Sequence, residues 1–183
     1  MNQGLIPSRY AKAFFEYALE NGADKAVFDM MERLEKAFAA EPGLRKATDN
    51  PFIPAADKTA LLMTAAGPDA AGSDVFRRML DLLVRNGRLD AMRDIAIAYI
   101  RLYRQRHDIR PVTVTSAAPL DPAVEERLKS LIRSHLPAGA TMDYRAEVNP
   151  DLIGGFTVSI DNEKLDASVA NELKQLRLRL TGK

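Results

Sequence analysis

The sequence predicts an α plus α/β fold: an N-terminal six-helix bundle at residues 1–105, then a small C-terminal β-α-β-β-α module at residues 112–183. Three observations carry this expectation. Apolar residues recur at helical spacing from Ser8 to about Tyr103, and glycine and proline cut the run into short pieces. From Val112 onward the pattern changes to alternation with a period of two. Between the two regimes lies "RHDIRP", residues 106–111, charged and closed by Pro111, as expected of a linker.

Taken in order, helices are expected over Ser8–Asn21, Asp24–Ala40, Gly43–Thr48, Pro54–Ala66, Asp74–Asn86 and Arg88–Gln105. The breaks are Gly22, "EPG" at 41–43, "NPFIP" at 50–54, "GPDAAG" at 67–72 and Gly87. "VTVTSA", 112–117, alternates as a strand does. In "LDPAVEERLKSLIRSHL", Asp121 is an N-cap candidate and Pro122 suits the first helical position. Val124, Leu128, Leu131 and Leu136 would line one face of that helix. "TMDYRAEV" alternates Met142, Tyr144, Ala146 and Val148, and beyond the "NPD" turn Phe156, Val158 and Ile160 alternate again. A last helix is expected from Asp166 through Val169, Leu173, Leu176 and Leu180.

Composition excludes more than it selects. Hydrophobic residues make up 46%, enough for a core in either half. Net charge is +1, with 15 basic and 14 acidic residues up to Arg104 and 11 of each from Gln105 on. Neither half has the basic excess of a nucleic-acid binder. With no cysteine and two separated histidines, no thiolate chemistry and no metal site are expected, and a reducing compartment fits. The N-terminus lacks the pattern of a signal peptide, and charges recur too often for an 18-residue apolar span. Membrane association is therefore expected only through a partner.

The polar residues give little support to catalysis, and no cofactor is expected. Gly154 and Gly155 are followed by a strand rather than by Lys-Ser or Lys-Thr at a helix start, so a strand bend or close backbone approach fits them better than a phosphate loop. The GxxG loop of a K-homology RNA fold is absent. His107 and His135 read as surface or capping residues, and Ser8, Ser73 and Ser168 as capping or first-turn residues. The adjacent Glu125 and Glu126 are expected to point apart. Arginines cluster between Arg77 and Arg110, with Asp74, Asp81, Asp90, Asp94 and Asp108 interleaved. That reads mainly as a solvated, salt-bridged face, with a docking surface for an acidic segment as the alternative. An unfamiliar enzyme would need a polar pocket that no constellation here announces.

Two helix faces carry more information. In the first helix Arg9, Lys12, Glu16 and Glu20 form one narrow polar stripe, and the remaining surface is apolar. That exceeds the roughly 100° arc a bundle helix normally buries. In the fifth helix one polar band leaves two apolar stripes: Phe76, Leu80 and Leu83, and beside them Val75, Met79 and Leu82. Either both helices are central in the bundle, or a groove between two helices receives an amphipathic helix from a partner.

The segments "RYAKAFFEYA", "NPFI", "LLVRNGRLDAM", "AYIRLY", "VTVTSAAPLD" and "VNPDLIGGFTVSIDNEKLDASVANELKQLRLRL" together resemble the delta subunit of F-type ATP synthases, the family of the mitochondrial oligomycin-sensitivity-conferring protein. The stretch from Leu152 to Val169 is the most specific part of the resemblance. It implies a non-catalytic stator subunit that ties the catalytic head to the peripheral stalk, so that rotation couples to ATP synthesis and ion translocation. The expected location is peripheral, on the cytoplasmic face of a bacterial inner membrane, as part of the complex.

By the same resemblance, the N-terminal helix of an alpha subunit would occupy a groove between the first and fifth helices. Its lining would come from Tyr10, Ala13, Phe14 and Tyr17, with Val75, Met79 and Leu82 opposite. One residue of helix phase, about 100°, decides between Phe14 and Phe15. The C-terminal domain would hold the C-terminal region of b-type stalk subunits, with Leu178 as the candidate exposed anchor and Gly154 and Gly155 in structural roles.

Overall fold

The computed structural model describes residues 5–137, 139–161 and 163–180, with side chains up to residue 174. The chain divides into two compact units, Met1–Arg104 and Gln105–Lys183. It is mostly helical, with a small four-stranded sheet confined to the second unit. Among the described residues there are eight α-helices, so a bundle of six accounts for the first unit only.

In the first unit the helices are α1 (Leu5–Glu20), α2 (Asp24–Ala40), α3 (Pro42–Asp49), α4 (Ala55–Ala66), α5 (Asp74–Arg85) and α6 (Met92–Arg106), with short 3₁₀ turns at Pro68–Gly72 and Leu89–Ala91. α1 is described from Leu5, three residues before the expected Ser8, and Pro7 lies within it. Ser73 caps α5, its side chain accepting from the Phe76 N–H at 3.2 Å.

The core of this unit is filled by Leu34, Leu62, Phe76, Leu80, Leu83 and Tyr99, each with no exposed surface. Phe15 packs edge-on against Tyr99, with ring centres 5.7 Å apart, and Phe28 stacks on Tyr103 at 4.2 Å. The Tyr99 hydroxyl donates to the Asp24 carbonyl at 3.2 Å. Burial, reinforced by Asp24, pushes the Tyr99 pKa well above the ordinary tyrosine value. Arg104 and Glu32 form a half-buried ion pair at 3.0 Å between α6 and α2.

The second unit runs β1 (Ile109–Ser116), α7 (Pro122–His135), β2 (Thr141–Val148), a 3₁₀ turn (Pro150–Leu152), β3 (Gly155–Ile160), β4 (Glu163–Ser168) and α8 (Val169–Leu180). The strand order is β2-β1-β3-β4. β1 and β2 are parallel and need the crossover helix α7, whereas the β1/β3 and β3/β4 pairs are antiparallel. Val112, Val114, Leu128, Ile132 and Val158 make its core, with Met142, Tyr144, Phe156 and Ile160 packed around them.

Several expectations are corrected here. The linker of 106–111 shrinks to the two residues between the end of α6 at Arg106 and the start of β1 at Ile109. Pro111 lies inside β1, because its carbonyl faces the β3 side and accepts from the Asp161 N–H at 3.3 Å; the β2 side asks nothing of its missing N–H. Residues 163–168 form a fourth strand, so the last helix starts at Val169 rather than Asp166. Asp166 turns its side chain to the N–H and hydroxyl of Ser168, and Ser168 Oγ in turn accepts from the Asn171 N–H at the helix start.

On α7 the buried stripe is Leu128 and Ile132, four residues apart, while Val124 and Leu131 stay exposed. Glu125 and Glu126, expected to diverge, both reach Lys129, at 2.8 and 3.1 Å, because the long lysine bridges the i+4 and i+3 positions.

Candidate functional site

α1 and α5 run antiparallel, and two side-chain hydrogen bonds bridge them. Asn86 donates to the Tyr10 hydroxyl at 3.0 Å, and Arg78 donates to the Tyr17 hydroxyl at 3.2 Å. Two helical turns separate the tyrosines, so the bonds act as rungs at either end of a trough. Between them Ala13 is exposed and small, and Leu82 opposite it is 41% exposed.

Ala13 and Leu82 form a saddle bordered by two depressions. The first, of about 440 Å³, is also lined by Ile6, Arg9, Tyr10 and Arg88. The second, of about 670 Å³, is lined by Phe14, Tyr17 and Met79, with Arg78, Asp81 and Arg85 above them. Phe14 and Met79 are 3% and 2% exposed, so the floor is continuous with the core.

The helix phase is settled by aromatic packing. Phe15 turns inward onto Tyr99 and Tyr103, whereas Phe14 lies against Tyr10, with ring centres 5.9 Å apart, under the trough. Of the groove residues read from sequence, Tyr10, Ala13, Phe14, Tyr17, Met79 and Leu82 line one or both depressions. Val75 is half-buried and lines neither. The two stripes of α5 separate as their spacing implies: Phe76, Leu80 and Leu83 are fully buried, while the second stripe rises from Met79 to the exposed Leu82. Arg78, Arg85 and Arg88 belong to the arginine cluster read from sequence and Arg9 to the polar stripe of α1, whereas Ile6 is not among the residues read from sequence. Ile6 was hidden by the late start assigned to α1.

A second apolar cleft, of about 860 Å³, lies within the C-terminal unit. Its walls are α7 and the β3/β4 hairpin, and its floor includes Leu128, Ile132, Phe156 and Val158. Leu131 and Leu165 stand on its lips, 58% and 63% exposed. Arg110 and Asp161 close one end as an ion pair at 2.7 Å. The side chain of Leu178 lies outside the described residues.

The glycine pair serves the backbone of this unit. Gly155 has φ +73°, and a side chain there would strike the Ala167 carbonyl oxygen on β4. A Cβ on Gly154 would come within 3.0 Å of Val169 Cγ2, and the Gly154 carbonyl accepts from the Val169 N–H at 3.0 Å. Both residues let β4 and the start of α8 approach closely.

Comparison with known proteins agrees along the whole chain. The family model described as ATP synthase delta (OSCP) subunit matches residues 6–180. The ATP synthase subunit delta of Parabacteroides distasonis is 36% identical over 180 residues, covering 98% of each chain. That of Bacteroides thetaiotaomicron is 34% identical over 183 residues, covering all of this chain and 97% of the relative. Among solved structures, a chain of the Toxoplasma gondii mitochondrial ATP synthase hexamer shares the fold, with a TM-score of 0.66 at 21% identity over 96% of this chain and 97% of its own.

Proposed function

Because this chain belongs to the ATP synthase delta (OSCP) subunit family and is thereby a structural, non-catalytic part of an F-type ATP synthase, we propose that it is the stator clamp between the catalytic head and the peripheral stalk. The alpha subunit's N-terminal helix occupies the trough between α1 and α5. The C-terminal region of b-type stalk subunits occupies the cleft between α7 and the β3/β4 hairpin. No described helix is long and apolar enough to cross a membrane. On this reading the chain is held at the membrane's cytoplasmic face by the complex.

The observation that carries the proposal is the trough itself. Its apolar floor is formed without a partner, its rungs tie the two helices together, and its two depressions can each take an anchor side chain. A helix laid into such a trough buries several aliphatic or aromatic anchors, at about 1.5–3 kcal/mol each before ordering costs are subtracted. The second contact on a linked unit raises the effective concentration of the first, which suits a joint held under torque.

Calorimetric titration of the full chain with the alpha subunit's N-terminal peptide tests the first contact. One-to-one binding is expected, reduced about tenfold or more by Ala13→Phe, which fills the saddle without entering the core. No binding by the unmodified chain would overturn the groove reading. For the stalk contact, Leu131→Asp with Leu165→Asp should abolish binding of a peptide from the C-terminal region of the b-type subunit, and undiminished binding would place that contact elsewhere.

A further inference from the structure

The rim of the trough carries a charge that its apolar floor does not explain. Arg9 and Arg88 border the Ile6 end, Arg78 and Arg85 border the Tyr17 end, and the one acidic lining residue is Asp81. Nearby charges largely cancel: Lys12 faces Glu16 at 3.9 Å, Asp49 is held by Arg45 at 3.6 Å and Asp94 by Arg93 at 3.7 Å. Asp90 remains beside Arg88. Among the described residues Arg9, Arg85 and Arg88 make no ion pair. The chain as a whole is close to neutral at +1, so the excess is local to the rim.

Resting on the groove reading, we propose that the trough selects an amphipathic helix whose apolar face is flanked by carboxylates, with Arg9, Arg78, Arg85 and Arg88 as the selecting residues. Arg78 and Arg85 are seven residues apart on one face of α5, which is two turns or about 10 Å. A helix lying along α5 with acidic residues at a similar spacing can present one to each. Guanidinium groups suit that role because they accept a carboxylate side-on and keep their charge at any working pH. The trough is concave and apolar between its charged rims, which fits an inserted helix better than a flat anionic surface. Charges placed at a rim act mainly on association rate and partner choice, and they weaken with salt.

The test uses the full chain and two designed helical peptides that share one apolar face, one with glutamates and one with lysines at the flanking positions. The alpha subunit's N-terminal peptide serves as reference. At about 50 mM salt the glutamate peptide should bind about tenfold or more tightly than the lysine peptide, and at about 500 mM the preference should fall several-fold. Arg85→Glu with Arg88→Glu should reverse the preference while leaving the melting profile unchanged.

Equal binding of both designed peptides, or binding of the reference alone, would overturn the charge selection and leave the groove reading standing. Failure of all three peptides would overturn the groove reading, and the selection with it. Phosphatidylglycerol vesicles bound through the same arginines, with no preference between the peptides, would assign the rim to a membrane surface instead.

Discussion

The two units keep their cores in different states of completion. In the first, Leu34, Leu62, Leu80 and Leu83 are sealed, and the trough rests on a floor already buried from below. In the second, Leu128, Ile132 and Val158 belong to the core and also line the open cleft. A partner of the first unit therefore meets a finished surface, whereas a partner of the second completes a core. Small units with thin cores are marginal on their own, and a ligand that binds only the folded form stabilises them by mass action.

The largest effect should come from separating the two. Gly155→Val places a β-branched side chain at a positive φ and against the Ala167 backbone. It should destabilise the second unit by more than about 3 kcal/mol. Circular dichroism should lose that unit's melting transition, while alpha-peptide binding stays close to normal. Loss of both would show that the units do not fold independently. Gly154→Ala should be milder, because the obstacle is the Val169 side chain, which can move.

Next come paired core truncations. Leu34→Ala in the sealed core should cost about 3 kcal/mol, since little around it can relax. Leu128→Ala, at the edge of the cleft, should cost the second unit about 2 kcal/mol. A saturating stalk peptide should recover much of the second loss and none of the first. Equal recovery, or none, would remove the distinction between a finished and an unfinished core.

Binding variants give smaller shifts. Leu82→Asp sets a carboxylate on the saddle and should weaken alpha-peptide binding about tenfold or more with no change in melting, because Leu82 is already 41% exposed. Tyr10→Ala should weaken it less, by removing one wall and the rung to Asn86. If either variant unfolds the first unit, that side chain belongs to the core and the trough is narrower than described.

What could be read from the sequence followed burial. The ends of α2 at Asp24 and Ala40 were legible because glycine and proline punctuate them. The doubled apolar face of α5 was legible because all of its polar residues fall in one band. β4 was not, since its exposed Glu163, Lys164 and Asp166 leave little alternation and its order comes from pairing with β3. The choice between Phe14 and Phe15 turned on Tyr99 and Tyr103, which lie more than eighty residues away in the chain. The arginines of the rim were visible as a cluster, but only the folded trough shows that Arg85 and Arg88 stand over it while Arg104 is committed to Glu32.

The smallest expected effect concerns pH. The Asp166 carboxylate accepts from the Ser168 hydroxyl at 2.6 Å and from its N–H at 3.1 Å, and these bonds hold its pKa below the ordinary value of 3.8. A carboxylate lowered in the folded state adds stability that is present above its unfolded pKa and is lost as pH falls through the folded one. The second unit should therefore lose a small increment as acidification passes through and below the ordinary carboxylate range. Asp166→Asn should flatten that part of its melting profile, with the first unit's transition in the same sample as the reference. A profile that keeps its slope would mean that the β4-to-α8 corner is held by Ser168 and its bond to Asn171 alone. The completion of the second unit would then rest on its apolar cleft, with no help from this turn.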